Sequence, residues 1–520
     1  MTTTAAATLQ EGWREVSRGH SSRRKERKRK RKVDEGLNQL QQGADRDISM
    51  GVERQKQAIY QLDLFGGEPK LVGHGTGGDG GIGATVREAL QAPAAKERKR
   101  ALTEDLMERV TRPYNLNKAW KRVKTNKGAP GVDGMTVEEL REWLSTHKEE
   151  LVESLMEGSY RPQPVRGVKI PKPGGGMRQL GIPTVVDRLV QQAILQVLEP
   201  ILDPMFSKSS FGFRPGRGAH DALKRARTYV ADGRTIVVDM DLEKFFDRVN
   251  HDVLMARLAR HVDDKRLLRI IRRFLEAGIL QDGVCTPRYE GTPQGGPLSP
   301  LLANLLLDDL DKELENRGHR FCRYADDCNI YVRTMEAGQR VMESITRFLE
   351  ERLHLKVNTE KSAVAPVWER KFLGYRLLLK GELGIAPKSI ARFKERIRQI
   401  TRRNRAVSLS TMIEELNTFI TGWVTYFRYA RCKGHLEKLD SWIHRKLRCV
   451  RLKQCKRVHA IATFFRSLGV PEWRAWIGAL SGKGWWRLAG TPQASEAMSL
   501  NWFNNQGLVS LTNRYLTVKC

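Results

Sequence analysis

Residues 320–332 read RFCRYADDCNIYV, with two adjacent acids, Asp326 and Asp327, between two largely apolar runs. Apolar runs that flank a short polar turn are typical of a β-hairpin, here with the acids at its tip. Two like charges held on a tight turn repel each other, and divalent metal ions are the simplest way to offset that repulsion. The stretch therefore indicates a site for two-metal phosphoryl transfer or, taken alone, a plain surface turn.

A second strand supplies further carboxylates upstream, where residues 236–242 read IVVDMDL and residues 243–247 read EKFFD. An apolar run that ends in acids predicts a buried strand with carboxylates at one end. Side chains two positions apart share one face of a strand, so spacing alone does not choose between Asp239 and Asp241. Either residue provides a third acid on a second strand.

The order of several further motifs carries a family resemblance. In chain order they are IPKP at 170–173, RQLGIP at 178–183, FGFRP at 211–215, DLEKFFD at 241–247, PQGGPLSP at 293–300, YADD at 324–327, EK at 360–361 and FLGY at 372–375. Together they resemble the palm of reverse transcriptases, and specifically the short bacterial subclass of group II intron-encoded proteins that lacks a C-terminal HNH endonuclease. NKGAPGVDG at 126–134 resembles the block that such enzymes carry ahead of the fingers, and GWVTYF at 422–427 resembles an element of their thumb and maturase region. The resemblance extends over roughly residues 112–515.

The resemblance implies which acids are catalytic in an RNA-directed DNA polymerase. In the family the first acid precedes a Phe by five residues and an Asp by six, which fits Asp241 and not Asp239. Asp241, Asp326 and Asp327 are then the catalytic residues, and together with the backbone carbonyl of Leu242 they hold two Mg²⁺ ions. Ligands that are all oxygen atoms favour magnesium over a softer metal.

The resemblance also implies five contacts to the incoming nucleotide. Lys172 and Arg178 flank a glycine turn and bind the triphosphate, although a hairpin with solvated charges is the alternative that composition favours. Phe246 lies under the sugar and excludes a 2′-hydroxyl, unless it is simply a core aromatic. Gln294 belongs to a glycine-rich loop beside the nucleotide or template, and Lys361 lies near the pyrophosphate as a candidate general acid.

The charge of the chain predicts a nucleic-acid partner. With 91 Lys and Arg against 60 Asp and Glu, the net charge is +31 and the isoelectric point is about 10.0. The charge is concentrated at residues 388–457, which hold 19 Lys or Arg against five Asp or Glu. A surface of this kind attracts phosphate backbones. The candidate RNA-binding residues are Arg392, Arg396, Arg402, Arg403, Arg445, Lys446, Arg448, Arg451 and Lys453.

The same basic stretch resembles the thumb and maturase region of the family, which implies binding of intron RNA to assist splicing. Its aromatic residues Trp423, Tyr426 and Phe427 have helical spacing, and we expect a helix core and not a base-stacking platform. The partners implied are intron RNA as template and ribozyme, a DNA primer or target, and dNTPs. The alternatives are a related bacterial reverse transcriptase recruited to another role, such as defence, and a noncatalytic RNA-binding splicing factor.

The expected fold class is α+β, a right-hand polymerase with an antiparallel palm sheet followed by a mainly α-helical region. We predict four segments: a basic, glycine-rich, disordered extension at 1–98, fingers and palm at 99–380, thumb and maturase at 381–455, and a small RNA- or DNA-binding region at 456–520. Charge blocks and glycine tracts are the reason for the first boundary.

Seven cysteines without a C-x-x-C pair argue against a zinc site and predict reduced thiols in a bacterial cytoplasm. No apolar run is long enough to span a bilayer, so a soluble intracellular protein without a membrane partner is expected. Many relatives end in a metal-dependent endonuclease. Since this chain lacks that module, the sequence predicts an enzyme that takes its primer from a nick or a replication fork.

Overall fold

The computed structural model describes residues 105–171, 175–482 and 484–519. The predicted disordered extension at 1–98 lies outside these residues. All described residues belong to one compact unit.

Ten strands lie among the described residues, in two four-stranded sheets and one two-stranded sheet. Their bounds are β1 Val165–Pro171, β2 Met177–Ile182, β3 Ile236–Met240, β4 Ile279–Gln281, β5 Val284–Thr286, β6 Arg320–Tyr324, β7 Asp327–Val332, β8 Ala363–Pro366, β9 Tyr375–Leu377 and β10 Leu383–Ile385.

Helices precede, separate and follow these strands in the described part of the chain. Up to the end of the palm they are α1 Leu106–Thr111, α2 Pro113–Asn126, α3 Leu140–Met156, α4 Val185–Leu202, α5 Ala219–Ala231, α6 His251–Leu258, α7 Lys265–Glu276, α8 Ser299–Asn316 and α9 Met335–Leu353. The later helices are α10 Pro387–Ile400, α11 Leu409–Tyr426, α12 Lys433–Cys455, α13 Val458–Ser467, α14 Glu472–Ala479, α15 Trp485–Leu488, α16 Pro492–Ala497, α17 Leu500–Asn505 and α18 Leu511–Lys519.

The palm sheet has the order β6-β7-β3-β8, and all its neighbouring strands are antiparallel. This arrangement confirms the predicted hairpin at 320–332 and the predicted α+β class. Both faces of the sheet are buried. On β3, Ile236 and Val238 pack into one hydrophobic core with α8 and α9, whereas Val237 packs into a second core that includes α5. The alternation of side chains along each strand therefore joins two separate cores through one sheet.

The fingers sheet has the order β2-β1-β4-β5, in which β1 and β2 are paired antiparallel. The glycine-rich loop at 293–296 docks on this strand pair, since the Gly181 amide donates to the Gln294 carbonyl at 3.0 Å. A Cβ on Gly295, which has φ 139°, would lie 2.5 Å from the Gly181 carbonyl oxygen. Glycine at 295 permits this close approach of two backbones.

The region after residue 386 is helical, as predicted, and its aromatic residues form core. Phe427 is 5% exposed, and the Trp423 ring lies 4.4 Å from that of Phe393 and 4.7 Å from that of Phe427. The expectation of a helix core at 423–427 is thus confirmed. The second core extends from Phe211 in the palm to Tyr515 in α18, so the predicted thumb and C-terminal segments share one core.

Asp440 of α12 fixes the last helix in place. Its carboxylate accepts hydrogen bonds from the backbone amides of Leu511 and Thr512 at 2.9 and 3.0 Å, and from the Ser510 hydroxyl at 2.9 Å. Amides at a helix N-terminus lack intrahelical partners, and a carboxylate supplies them. In the described part of the chain no helix is both long and apolar enough to cross a membrane.

Candidate active site

The palm hairpin turns through two residues, Ala325 and Asp326, between the paired residues Tyr324 and Asp327. Ala325 has φ 58°, the left-handed region that residues with a side chain rarely adopt. The backbone of Gly212 lies against this turn, because a Cβ on Gly212 would be 2.3 Å from the Ala325 amide nitrogen. The FGFRP motif therefore supports the turn through a contact that only glycine permits.

Arg323 lies beneath the turn with none of its side chain exposed. Its guanidinium makes two parallel hydrogen bonds to Asp311 of α8, at 2.7 and 2.6 Å. The other N–H groups donate to the Ala325 carbonyl, the Asn304 side-chain oxygen and the Ser210 hydroxyl, each at 2.9 Å. Because a buried charge is tolerated only when it is paired and hydrogen-bonded, these contacts act together. They hold the turn to α8 and to the loop before α5.

The three predicted catalytic carboxylates meet at one end of the palm sheet. Asp326 is in the turn, Asp327 opens β7, and Asp241 follows the last residue of β3. Met240 pairs with Cys328, so Asp241 and Asp327 come next to each other along the ladder. The structure thus brings together on two neighbouring strands the acids that the sequence predicted.

The carboxylates influence one another. Burial raises the pKa of Asp326, and the nearby carboxylate of Asp241 raises it further. Burial, with the neighbouring Asp239 and Asp326 carboxylates, raises the pKa of Asp327 to about 7. Both causes act against the ionised form, through lost hydration and through like charge. A cation at this end of the sheet would relieve both.

The structure gives Asp239 and Asp241 different partners. Arg370 binds Asp239 through Nε and Nη2, at 2.8 and 2.7 Å. Asp241 Oδ2 accepts a hydrogen bond from Lys361 Nζ at 3.1 Å, and the Asp241 amide donates to the Ser362 hydroxyl at 3.0 Å. Arg370 also donates to the Lys361 carbonyl at 2.5 Å. The Arg370 guanidinium therefore pairs with the Asp239 carboxylate. The more exposed Asp241 instead faces Lys361, the residue predicted to lie near the pyrophosphate.

The donor set fits a hard divalent cation. Every candidate ligand, namely Asp241, Asp326, Asp327 and the Leu242 carbonyl, offers oxygen, which Mg²⁺ prefers. Within the described ranges, however, no three His, Cys, Asp or Glu side chains are gathered closely enough to hold a metal ion by themselves. Lys361 binds Oδ2 of Asp241, so a metal ion at this carboxylate would compete with the lysine for that oxygen.

Two of the predicted nucleotide-binding residues are in direct contact. Arg178 Nε donates to the Gln294 side-chain oxygen at 2.6 Å and so joins the fingers hairpin to the glycine-rich loop. Phe246 is half-buried, with its ring edge-on to Phe245 at 5.1 Å, while Phe245 is 2% exposed. Lys172 lies outside the described residues.

The predicted RNA-binding residues fall into three groups. Arg392, Arg402 and Arg403 are exposed. Others contact the C-terminal helices: Arg445 stacks on Trp486 at 4.3 Å and donates to its carbonyl, and Arg448 donates to the Met498 carbonyl at 3.1 Å. Arg451 likewise lies over the Phe464 ring at 4.4 Å. The second group is engaged within the protein. Arg396, Lys446 and Lys453 are half-buried.

Sequence reasoning missed the residues that support the site. Ser362 contacts the catalytic candidate Asp241, Asp311 binds Arg323 beneath the turn, and Arg370 binds Asp239, and none of the three was among the predicted site residues. The sequence did contain a signal for the contact between Arg323 and Asp311. Arg323 lies two positions after the core residue Phe321 on β6. Strand alternation places both side chains on the face of the first core, where a charge requires a partner.

Comparison with known proteins agrees with this geometry. A family model described as reverse transcriptase (RNA-dependent DNA polymerase) matches residues 170–377, and one for the maturase-specific domain of group II introns matches residues 390–466. The palm sheet and its carboxylates thus lie in a reverse transcriptase domain. The chain belongs to the group II intron-encoded reverse transcriptases with a maturase-specific domain.

Individual relatives cover different shares of the chain. Protein YkfC of Escherichia coli (strain K12) is 33% identical over 59% of this chain and 91% of that protein. The group II intron-encoded protein LtrA of Lactococcus lactis subsp. cremoris is 38% identical over 39% of this chain and 34% of LtrA. A chain of the solved "Partial Cas6-RT-Cas1--Cas2 complex" is 25% identical over 47% of this chain and 42% of that chain, with a TM-score of 0.32.

Replacing Asp311 by Asn is expected to lower the free energy of unfolding by about 3–5 kcal/mol, because it leaves Arg323 buried without a counter-ion. The matched control is Glu313→Gln on the same helix, which breaks the half-exposed pair with Arg317. That change should cost at most about 1 kcal/mol. Urea unfolding followed by circular dichroism measures both, and equal losses would contradict the assigned role of the buried pair.

Proposed function

We propose that this protein is an RNA-directed DNA polymerase that copies group II intron RNA onto a DNA primer and also binds that RNA as a maturase. The observation that carries the proposal is the position of Asp241, Asp326 and Asp327 at the same end of two adjacent palm strands. The match to the maturase-specific domain supports an intron-encoded role over the defence alternative.

The proposed catalytic ligands are the three carboxylates and the Leu242 carbonyl, which would hold two Mg²⁺ ions. When bound, such ions lower the pKa of a primer 3′-hydroxyl and stabilise the charge on the leaving pyrophosphate. The carboxylates themselves orient the reacting groups, and their position is fixed from beneath by Arg323. Asp239 stays outside this ligand set, because Arg370 occupies it.

The nucleotide would lie between the fingers and the turn. Arg178, held by Gln294, presents a planar guanidinium that can clasp phosphate oxygens with two hydrogen bonds. Half-buried Phe246 provides a wall that would collide with a ribose 2′-hydroxyl and so favour deoxynucleotides. Lys361, 3.1 Å from Asp241, is positioned to give a proton to the departing pyrophosphate. Lys172 is proposed as a second phosphate contact.

The proposed partners are intron RNA, a DNA primer or target, and dNTPs, with the exposed arginines of α10 and the following loop as the first RNA contacts. The proposed location is the bacterial cytoplasm. In that reducing compartment thiols stay reduced, and six cysteines of the described region are free thiols.

The test of the catalytic assignment is Mg²⁺-dependent extension of a DNA primer on an RNA template. Asp241→Asn and the double variant Asp326→Asn, Asp327→Asn should each lower the rate by more than about 100-fold. Substituting a residue that only supports a metal ligand already lowers metal affinity or activity by about 10–100-fold, and these residues are the proposed ligands themselves. Asp239→Asn is the matched control, on the same strand face and paired with Arg370.

We expect Asp239→Asn to keep extension within about tenfold of the parent, because its carboxylate acts through Arg370 and not on the reacting atoms. An Asp239 variant as inactive as the Asp241 variant would contradict the assignment of the first acid. If the unsubstituted protein binds RNA and extends no primer, the noncatalytic splicing-factor alternative becomes the correct function.

A second test separates RNA contact from internal packing. The triple variant Arg392→Gln, Arg402→Gln, Arg403→Gln should reduce the slope of log K against log salt for RNA binding by about 2, at about 0.7 per phosphate contact. Its unfolding midpoint should change little, because all three side chains are exposed and the one internal contact among them, from Arg403 to the Cys449 thiol, is a weak hydrogen bond.

Two comparisons make this test specific. The control variant Arg141→Gln, Arg260→Gln, Arg340→Gln removes the same charge from exposed positions outside the thumb and should leave the salt slope nearly unchanged. Arg445→Gln with Arg448→Gln should instead lower the unfolding midpoint, since both residues hold the C-terminal helices. Equal salt slopes for the two triple variants would refute a thumb-specific RNA surface.

A further inference from the structure

The FLGY motif forms a two-residue turn with unusual backbone geometry. The amides of Phe372 and Tyr375 each donate to the other residue's carbonyl, at 3.0 and 2.9 Å. The two residues between them, Leu373 and Gly374, both have positive φ, at 51° and 79°. Positive φ at both central positions defines a type I′ turn, for which Asn-Gly is the favoured pair. Leucine is a costly residue for the first position.

The turn is held from the maturase side. The Tyr426 hydroxyl donates to the Leu373 carbonyl at 2.8 Å. The Gly374 carbonyl accepts from the Ser389 hydroxyl at 2.9 Å, and a Cβ on Gly374 would lie 3.4 Å from the Phe427 ring. Strained backbone persists where its surroundings determine it, and such strain is concentrated at functional sites. Residues of α10 and α11 thus fix a strained turn of the polymerase domain.

Tyr426 is also bound through its backbone. It ends α11, and its carbonyl accepts hydrogen bonds from His220 Nε2 of α5, at 2.7 Å, and from the Tyr375 hydroxyl. One residue therefore contacts the palm helix α5, strand β9 and the turn. The turn falls within the reverse transcriptase match at 170–377, whereas Tyr426 falls within the maturase match at 390–466.

The turn lies on a particular side of the catalytic hairpin. Tyr324, Leu373 and Tyr426 all pack against the second core, whereas Phe246 packs against the first. Burial raises the pKa of Tyr426 to about 12, and nearby Tyr324 contributes to that rise. Tyr426 therefore binds the turn and lies near Tyr324, and both the turn and Tyr324 are on the second-core side of the hairpin, whereas Phe246 is on the first-core side.

We propose that Tyr426 is a positioning residue, whose hydroxyl fixes the Phe372–Tyr375 turn beside Tyr324 and so controls how primer and template meet the catalytic hairpin. This inference rests on the proposed polymerase function. It makes primer engagement depend on a helix of the maturase-specific domain. The dNTP should be affected little, because its proposed contacts lie toward the first core and the fingers.

The experiment uses the full-length protein and the variant Tyr426→Phe, with KM for primer–template and KM for dNTP measured separately in primer extension. Loss of the hydroxyl should raise KM for primer–template about fivefold, which corresponds to about 1 kcal/mol, the usual net contribution of one hydrogen bond. The KM for dNTP should stay within about twofold.

Tyr515→Phe is the matched control. The Tyr515 hydroxyl donates to the Ala430 carbonyl at 2.7 Å, so this variant also removes a hydroxyl-to-carbonyl bond within the second core. It should lower the unfolding midpoint about as much as Tyr426→Phe and leave both KM values unchanged. Two results would overturn the inference. One is the same KM for primer–template in both variants. The other is a rise in KM for dNTP in Tyr426→Phe as large as its rise in KM for primer–template.

A double variant tests the strained turn directly. Glycine adopts positive φ without cost, so in a Leu373→Gly background the turn no longer needs the Tyr426 bond. The effect of Tyr426→Phe on KM for primer–template should then shrink below about twofold, a coupling that a double-mutant cycle measures. An undiminished effect would overturn the inference. Absence of extension by the unsubstituted protein would instead remove the proposed function, and this inference with it.

Discussion

The buried ion pair between Arg323 and Asp311 is the interaction on which the rest of the site depends. Neither side chain is exposed, so each charge is stable only because the other is present. The same guanidinium holds the Ala325 carbonyl, and Ala325 is the residue with the unfavourable backbone angle in the turn. The pair therefore converts a locally strained turn into the stable conformation of the palm. Without it, the turn would lose the contact that holds the Ala325 carbonyl from beneath.

A second constraint follows from the first, because fixing several acids at one end of a sheet creates repulsion. The protein offsets part of it with cations of its own, Arg370 at Asp239 and Lys361 at Asp241. Asp326 and Asp327 have no such ion pair among the described residues, and burial raises the pKa of both. The charge left uncompensated thus lies where the proposed metal ions would bind. Arg370 contacts both Asp239 and the Lys361 carbonyl, so the two internal cations are themselves connected.

Local patterns in the sequence were sufficient for the hairpin, the acid-tipped strand and the helical thumb, because each depends on residues near one another in the chain. The period of two could not separate Asp239 from Asp241, since the difference is the distant Arg370. Contacts such as Arg178 with Gln294, 116 residues apart, have no local signature. The predicted RNA surface shows the same limit. Composition reveals that arginines are concentrated, but only packing shows that Arg445 holds a C-terminal helix while Arg392 is free to face a partner.

The two cores explain why the polymerase and maturase regions are not independent modules. One face of the palm sheet packs on palm helices, and the other joins a core that continues through α10, α11 and α12 to α18. A force applied to the thumb by a bound RNA therefore reaches the sheet through packed side chains, which resist small displacements because protein interiors are dense. Tyr426 is one link in this connection, bonded to α5, β9 and the 372–375 turn at once. In the proposed function, in which one protein both binds an RNA and copies it, this connection would couple the position of the template strand to the helix that carries Tyr426.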